Sequence, residues 1–384
     1  MDRIYLCLAH MSGKEQQYIQ EAFDTNWVVP LGPNVNAFES DLATFVNCSD
    51  SAVKTKEVVA LSAGTAAIHL GLIMLGVDKG DEVICQSFTF AASANPVVYQ
   101  GATPVFVDSE VGTYNMDPQL LEEAIKDRIA KTGKKPKAII PVYLYGMPAR
   151  IDEIMEIAHR YEIPVLEDAA EGFGSRYKGQ VCGTFGEYGV MSFNGNKMIT
   201  TSGGGALICP NEEAKKRVMF YATQAREPFP YYQHEKIGYN YRMSNICAGI
   251  GRGQMTVADE HVKHHQWVHQ QYVEKLGGID GIIVHSAPAS EMESNYWLST
   301  IRFEDDKHTI EGNLLSFIDA LSTAGIETRP LWKPMHAQPV YKDAPAYTNG
   351  VSERMFSCGL CLPSGPYVKE EEIDYIVKSI KAHL

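Results

Sequence analysis

The chain has 384 residues, 45% hydrophobic and 21% charged, with a formal net charge of −13. That length allows two domains and a sizeable core, while the acidic balance argues against sequence-independent binding to nucleic acid or anionic membranes. No apolar run approaches membrane-spanning length, and the opening MDRIYLCLAHMSGKEQQ lacks a basic region followed by a long apolar segment, so a cytoplasmic location is expected.

Helical spacing covers residues 13–24 and resumes near Asn36, with Phe38, Leu42 and Phe45 on one face. From residue 57, short apolar strands (57–62, 82–88, 104–108, 137–145, 164–168) alternate with helical segments (65–75, 91–100, 118–132, 152–161). Such alternation predicts an α/β fold with a mainly parallel sheet covered on both faces. Two further strands, 187–193 and 204–209, flank a loop holding Lys197. Ligands of open α/β sheets sit beyond the carboxyl ends of the strands. Ser62, Ser87, Asp108, Tyr145 and Asp168 fall at such ends and are expected in one crevice.

A helix over 212–224 leads into the aromatic stretch REPFPYYQHEKIGYNYR and a helical region over 244–276. After Gly277, Gly278 and Gly281 come a strand (296–303), a helix (310–324), an irregular segment (328–341) and a terminal helix from Glu370. We expect a large domain over 1–255 and a smaller α+β domain over 256–384. The eight cysteines, mostly in apolar stretches, read as free thiols, and Cys358-x-x-Cys361 as part of a strand. Gly249–Gly253 (GIGRG) reads as close helix packing rather than a dinucleotide turn, because no strand precedes it. His261, His264, His265 and His269 read as a partly exposed helix face, with no metal expected.

Three features accompany Lys197. Ala63-Gly64-Thr65-Ala66 closes a strand and opens a helix, a place where backbone amides take phosphate. Asp168 puts a carboxylate at a strand end, and Ser87-Phe88-Thr89-Phe90 can lay a ring over a flat ligand. A lysine, a carboxylate, a phosphate cradle and an aromatic cover are what pyridoxal phosphate requires. The triple glycine 203–205 is expected to pass beneath the cofactor, with positive φ at one position.

Through LGPNVNAFE, AGTAAIHL, SFTFAAS, EDAAEGFGS, SFNGNKMITTSGGG, GYNYRMSN, ETRPLWKPMH and CLPSG, the chain resembles the DegT-type sugar aminotransferases nearly end to end. These are fold-type-I pyridoxal phosphate enzymes. The resemblance implies that Lys197 carries the cofactor as a Schiff base and Asp168 pairs with its ring nitrogen. It places Glu171 near the phenolic oxygen, Phe90 on the ring, and Gly64, Thr65 and Ser192 at the phosphate. Asn240 would join them from the partner subunit of a homodimer. In this family histidine in place of the lysine goes with sugar dehydration, so Lys197 implies transamination. The motifs look most like transaminases of UDP-2-acetamido-4-keto-6-deoxy-hexoses, of the bacillosamine type, with L-glutamate as donor. Arg226, Arg242, Arg329 and Lys333 are candidates for the diphosphate, and Trp27 to Leu31, Trp332, His336 and Tyr341 for the sugar or nucleotide. The alternatives are a GDP- or dTDP-linked keto sugar, or a non-catalytic cofactor-binding regulator.

Overall fold

A computed structural model describes residues 3–48 and 55–384. The five apolar runs between residues 57 and 168 become strands β1 (Glu57–Leu61), β2 (Glu82–Gln86), β3 (Thr103–Val107), β4 (Ala138–Ile140) and β5 (Leu166–Asp168), followed by β6 (Tyr188–Ser192) and β7 (Gly205–Cys209). Ladders and bridges place them in the order β1-β7-β6-β5-β4-β2-β3, with the short strand Ala346–Tyr347 added beside β3. Strand β7 alone of the seven runs antiparallel, against both β1 and β6. The cause is local: a parallel return needs a long crossover, usually a helix, and the connection 193–204 contains no helix. That connection carries Lys197.

Both faces of the sheet are covered, which explains why its strands are continuously apolar rather than alternating. Val83 and Cys85 pack into the core on one face with Val190 and Leu207. Ile84, between them in sequence, packs on the other with Val105 and Ile139. Strand β4 is shorter than the expected 137–145. Pro141 follows it, and Leu144–Gly146 forms a 3-10 turn with Tyr145 at φ 54°.

The expected helical region 244–276 divides at Val257 into Asn245–Met255 and Ala258–Leu276. In the first, a Cβ on Gly251 would lie 2.7 Å from the Phe38 ring and one on Gly253 2.8 Å from the Glu15 nitrogen. The GIGRG run is thus close packing against helices Glu15–Asp24 and Pro33–Val46.

On the second helix the histidine expectation needs correction. His261, His265 and His269 are buried, not partly exposed. Each ring is tied to a separate neighbour: His261 to the Met198 carbonyl (3.2 Å), His265 to the Tyr296 carbonyl (3.3 Å) and His269 to Ser286 Oγ (3.0 Å). Among the described residues no three His, Cys, Asp or Glu side chains converge as a metal site.

The C-terminal unit is an antiparallel sheet, β8 (Ile282–Val284), β9 (Ser299–Phe303), β10 (Arg329–Pro330) and β11 (Gly359–Leu362), in the order β8-β9-β11-β10. Helices Leu314–Thr323 and Glu370–His383 cover it together with the second half of Ala258–Leu276. Ile4 bridges to Ile326 and joins this core, so the N-terminal strap lies on the C-terminal sheet. All eight cysteines are free; Cys361 stands on β11, but Cys358, expected on the same strand, ends the helix Val351–Cys358.

Candidate active site

A cavity of about 300 Å³ opens at the carboxyl ends of β1, β5 and β6. At one end β1 runs into helix Gly64–Met74, whose N-cap, Ala63, is extended and has no side chain able to cap the first amides. Those amides are free to take an anion. Gly64 lets the helix start press against Ser192, whose Cβ lies 3.1 Å from where a glycine Cβ would be. A Cβ on Gly205 would collide with the same turn, reaching the Gly64 nitrogen and lying 2.5 Å from the Ala63 carbonyl carbon. Gly64, Thr65 and Ser192 therefore line one end of the cavity together.

In the middle, Asp168 ends β5 and is 4% exposed. Its Oδ2 accepts from Ser93 Oγ at 2.6 Å and its Oδ1 from the Ala170 amide at 3.1 Å. Burial pushes its carboxyl above the usual range, opposed by the Ser93 hydroxyl, the Ala170 amide and the Lys197 charge. Glu171 is equally buried: Oε1 accepts from Lys197 Nζ at 2.9 Å and Oε2 from the Tyr145 amide at 2.8 Å. Burial raises this carboxyl as well, against the Lys197 charge. Lys197 Nζ also lies 4.1 Å from the centre of the Trp297 ring. Phe90, 60% exposed, lines the mouth and tilts against Trp332 at 5.5 Å.

Gly203 and Gly204 line the wall as expected, but the positive φ belongs to Ser202 (73°), not to any of the three glycines. Gly204 and Gly205 are needed for space, whereas a Cβ on Gly203 would meet nothing within 4 Å. A Cβ on Gly204 would strike Thr201 Oγ1 and lie 2.6 Å from Met243 Cε.

Other expected residues stand elsewhere. Asp108 lies outside the cavity, its carboxylate taken by the amides of Ser109, Asn349, Gly350 and Ser352. Tyr145 stands behind the wall, its hydroxyl accepting from the Trp332 amide. Ser87 is paired with His336 Nδ1 at 2.6 Å, and His336 in turn approaches Glu353 at 3.4 Å, so neither faces the cavity. Arg242 is consumed by a buried pair with Glu39 at 2.5 Å. Tyr341 is buried and bonded to Asn95. Arg226 is exposed over the Tyr232 ring, and Asn240, Trp27 and Leu31 are exposed away from this chain's cavity. Arg329, paired with Glu327, lines with Lys333 and Trp332 an adjoining cavity of about 680 Å³.

Sequence reasoning missed Ser93 and Trp297. Ser93 closes the SFTFAAS motif, where a hydroxyl facing the Asp168 strand end could have been sought. Trp297 carried no local signal, because it begins an apolar strand-like run.

The profile of the DegT/DnrJ/EryC1/StrS aminotransferase family matches residues 9–381. The chain is 47% identical to the Bacillus subtilis protein named "Putative pyridoxal phosphate-dependent aminotransferase EpsN", over 98% of this chain and 94% of that one. It is 34% identical to GDP-perosamine synthase of Caulobacter vibrioides (99% and 98% covered) and 33% identical to UDP-2-acetamido-2-deoxy-3-oxo-D-glucuronate aminotransferase of Pseudomonas aeruginosa (91% and 90%). Among solved structures, a DegT DnrJ EryC1 StrS aminotransferase from Brucella abortus superposes with a TM-score of 0.87 at 29% identity (96% and 95% covered). The structure named "Putative sugar aminotransferase Spr1654 from Streptococcus pneumoniae, PLP-form" superposes with a TM-score of 0.89 at 25% identity (99% and 98% covered). The fold is that of the fold-type-I aminotransferases, and the chain belongs to the DegT/DnrJ/EryC1/StrS family as a pyridoxal phosphate-dependent sugar transaminase.

Proposed function

We propose that the enzyme moves an amino group from L-glutamate to the keto carbon of a nucleotide-linked 4-keto-6-deoxy sugar, UDP-2-acetamido-2,6-dideoxy-4-keto-hexose. The observation that carries the reaction type is the placement of Lys197 beside two buried carboxylates, in a cavity that ends at an uncapped helix start. The residues fit pyridoxal phosphate: Gly64, Thr65 and Ser192 would hold its phosphate, Asp168 its ring nitrogen, Lys197 its aldehyde carbon and Phe90 a ring face. When bound, the cofactor supplies an electron sink for the electrons left when the donor loses its Cα proton. The chain's own work is proton management. Asp168, fixed by Ser93 and the Ala170 amide, would keep a proton on the ring nitrogen. Lys197 Nζ, freed when the donor binds, would take the donor's Cα proton and hold it beside Glu171 Oε1. Glu171 would hold that amine within reach at 2.9 Å.

Asn240, Trp27 and Arg226 do not line this chain's cavity, while Tyr232 and Ile237 in the same region as Arg226 are 79% and 80% exposed. We infer a cytoplasmic homodimer in which Asn240 and Arg226 of each subunit complete the other's site. Monomer mass in solution with full activity would exclude it.

The UDP assignment rests on the motif combination NGNKMITTSGGG, TQARE, GYNYRMSN and ETRPLWKPMH. A GDP-linked keto sugar is the second reading, favoured by likeness to three GDP-perosamine synthases at 31–34% identity. Borohydride reduction followed by peptide mapping tests the chemistry. Cofactor should be trapped on Lys197 and absent in Lys197→Ala; reducible cofactor persisting in that variant overturns it. A panel of UDP-, GDP- and dTDP-linked keto sugars with L-glutamate tests the substrate, and turnover of the GDP or dTDP compounds alone overturns the UDP reading.

A further inference from the structure

Lys197 has an aromatic partner that comes from the C-terminal unit. Trp297 is 3% exposed and precedes β9. One face of its indole lies 4.1 Å from Lys197 Nζ, and its ring N–H donates to the carbonyl of Asn196, the residue before the lysine, at 2.6 Å. The indole is itself fixed. Its backbone amide donates to Asn295 Oδ1 at 2.7 Å, and Asn295 Nδ2 donates to the carbonyls of Glu171 (2.7 Å) and Phe173 (2.8 Å). Tyr296 between them sits at φ 48° with its ring stacked on His269 at 3.6 Å. The segment 295–297 thus ties both partners of the ammonium, the Glu171 carboxylate and the indole face, into one support.

We propose that Trp297 is a positioning residue for Lys197. Its π face attracts the cationic amine and keeps it beside Glu171, and its N–H fixes the backbone from which Lys197 projects. The inference rests on Lys197 being the cofactor-bearing lysine. An amine that drifts from its place loses reaction rate steeply, because proton transfer needs the groups within hydrogen-bond reach.

Two variants separate the two contacts. Trp297→Phe keeps an aromatic face and loses the N–H; Trp297→Leu loses both. Each is first checked by thermal unfolding, and Trp297→Met replaces the leucine variant if that one fails to fold. The non-kinetic readout is the rate at which pyridoxal phosphate and borohydride label Lys197 in cofactor-free protein, followed by peptide mass. Schiff-base formation needs the neutral amine, so Lys197 must first pass a proton to Glu171 Oε1, 2.9 Å away, and the indole acts by holding Nζ at that acceptor. We expect labelling and kcat to fall about 2- to 30-fold in Trp297→Leu, the span of cation–π contacts from exposed to desolvated. Trp297→Phe should recover most of that loss, and the nucleotide-sugar KM should stay within about twofold, as for loss of an interaction used only in the reaction step. The effects of Trp297→Leu and Glu171→Gln should be non-additive, because both act on one nitrogen. Unchanged labelling in Trp297→Leu, or a raised KM with kcat intact, overturns the proposal and makes Trp297 a substrate wall. Parent protein that labels at a different lysine overturns the site assignment itself, and this inference with it.

Discussion

Ser93 Oγ donates to Asp168 Oδ2 at 2.6 Å, so the carboxylate at the end of β5 is held from the connection that follows β2. Thr89 Oγ1 lies 2.7 Å from the same serine oxygen and extends the chain toward the cavity. The bond favours the charged carboxylate that burial disfavours. Ser93→Ala should therefore raise the Asp168 carboxyl further and loosen the cofactor. A hydrogen bond to a charged group contributes about 1.5–3 kcal/mol, roughly 10- to 100-fold in affinity. Cofactor titration by absorbance measures this, and parent-like affinity would show that another contact holds the charge.

In the pair Lys197–Glu171 the carboxylate is buried and the lysine nearly so, with side chains 3% and 13% exposed. Removing one partner leaves a charge unpaired, at a cost of about 3–5 kcal/mol. Glu171→Leu should destabilise the cofactor-free protein by that amount, and Lys197→Met in the same chain should restore most of it. Glu171→Gln, which can still accept from the Tyr145 amide, should cost less. Denaturant unfolding of the four proteins decides.

Acid should unfold the protein through its buried histidines. Burial pushes His265 and His269 down to about 3 and His285 to about 4. The folded chain binds fewer protons than the unfolded one between the ordinary histidine value, about 6.5, and those depressed values. Stability is then fully present above about pH 6.5 and is lost as pH falls, each histidine adding up to about 1.4 kcal/mol per pH unit. His269→Phe, which keeps a ring to stack on Tyr296, should flatten that slope between pH 6.5 and 4. An unaltered slope would place the acid sensitivity in other groups.

The glycines after Ser202 should differ sharply in tolerance. A Cβ on Gly205 would meet the backbone of Ala63 and Gly64, whereas one on Gly203 meets nothing within 4 Å. Gly205→Ala should cost about 1–3 kcal/mol, as overpacking does, and weaken phosphate retention because the displaced turn is the cradle. Gly203→Ala should leave stability within about 0.5 kcal/mol. Melting curves and cofactor titrations of the two variants compare them directly.

Asp168 and Gly64 were legible because each stands at or just past a local strand end, and Lys197 because it is the one cation in the loop that follows another; strand ends in such sheets face the ligand. Asp108 satisfied the same rule and still turned away, since the amides of Asn349, Gly350 and Ser352 claim its carboxylate and no local pattern announces them. Arg242 was drawn off in the same way by Glu39, a partner on the helix Pro33–Val46. Trp297 was hidden for the opposite reason: its partners, Asn196 and Lys197, lie about a hundred positions earlier in the chain. The histidines of Ala258–Leu276 read as a polar face because sequence shows spacing but not what packs against it. Of the glycine run, Gly203 and Gly204 line the cavity and none has the expected positive φ; steric room accounts for Gly204 and Gly205, and no neighbour requires glycine at 203.

The place of β7 between β1 and β6 also sets a timetable for synthesis. Strand β1 is the first of the seven main strands to be made and has β7, the last of those seven, as its ladder partner. At about 5–20 residues per second, the interval before β7 emerges is on the order of ten seconds. Through that interval a strand of the sequence EVVAL has no native neighbour on the edge that pairs with β7, while on its other edge Glu39 can already take the Ala60 amide. In pulse-labelled refolding, amide protection in β1 should rise with that of β7 and not before it. The cofactor cradle at Gly64, hung on the end of β1, can only mature after that late closure.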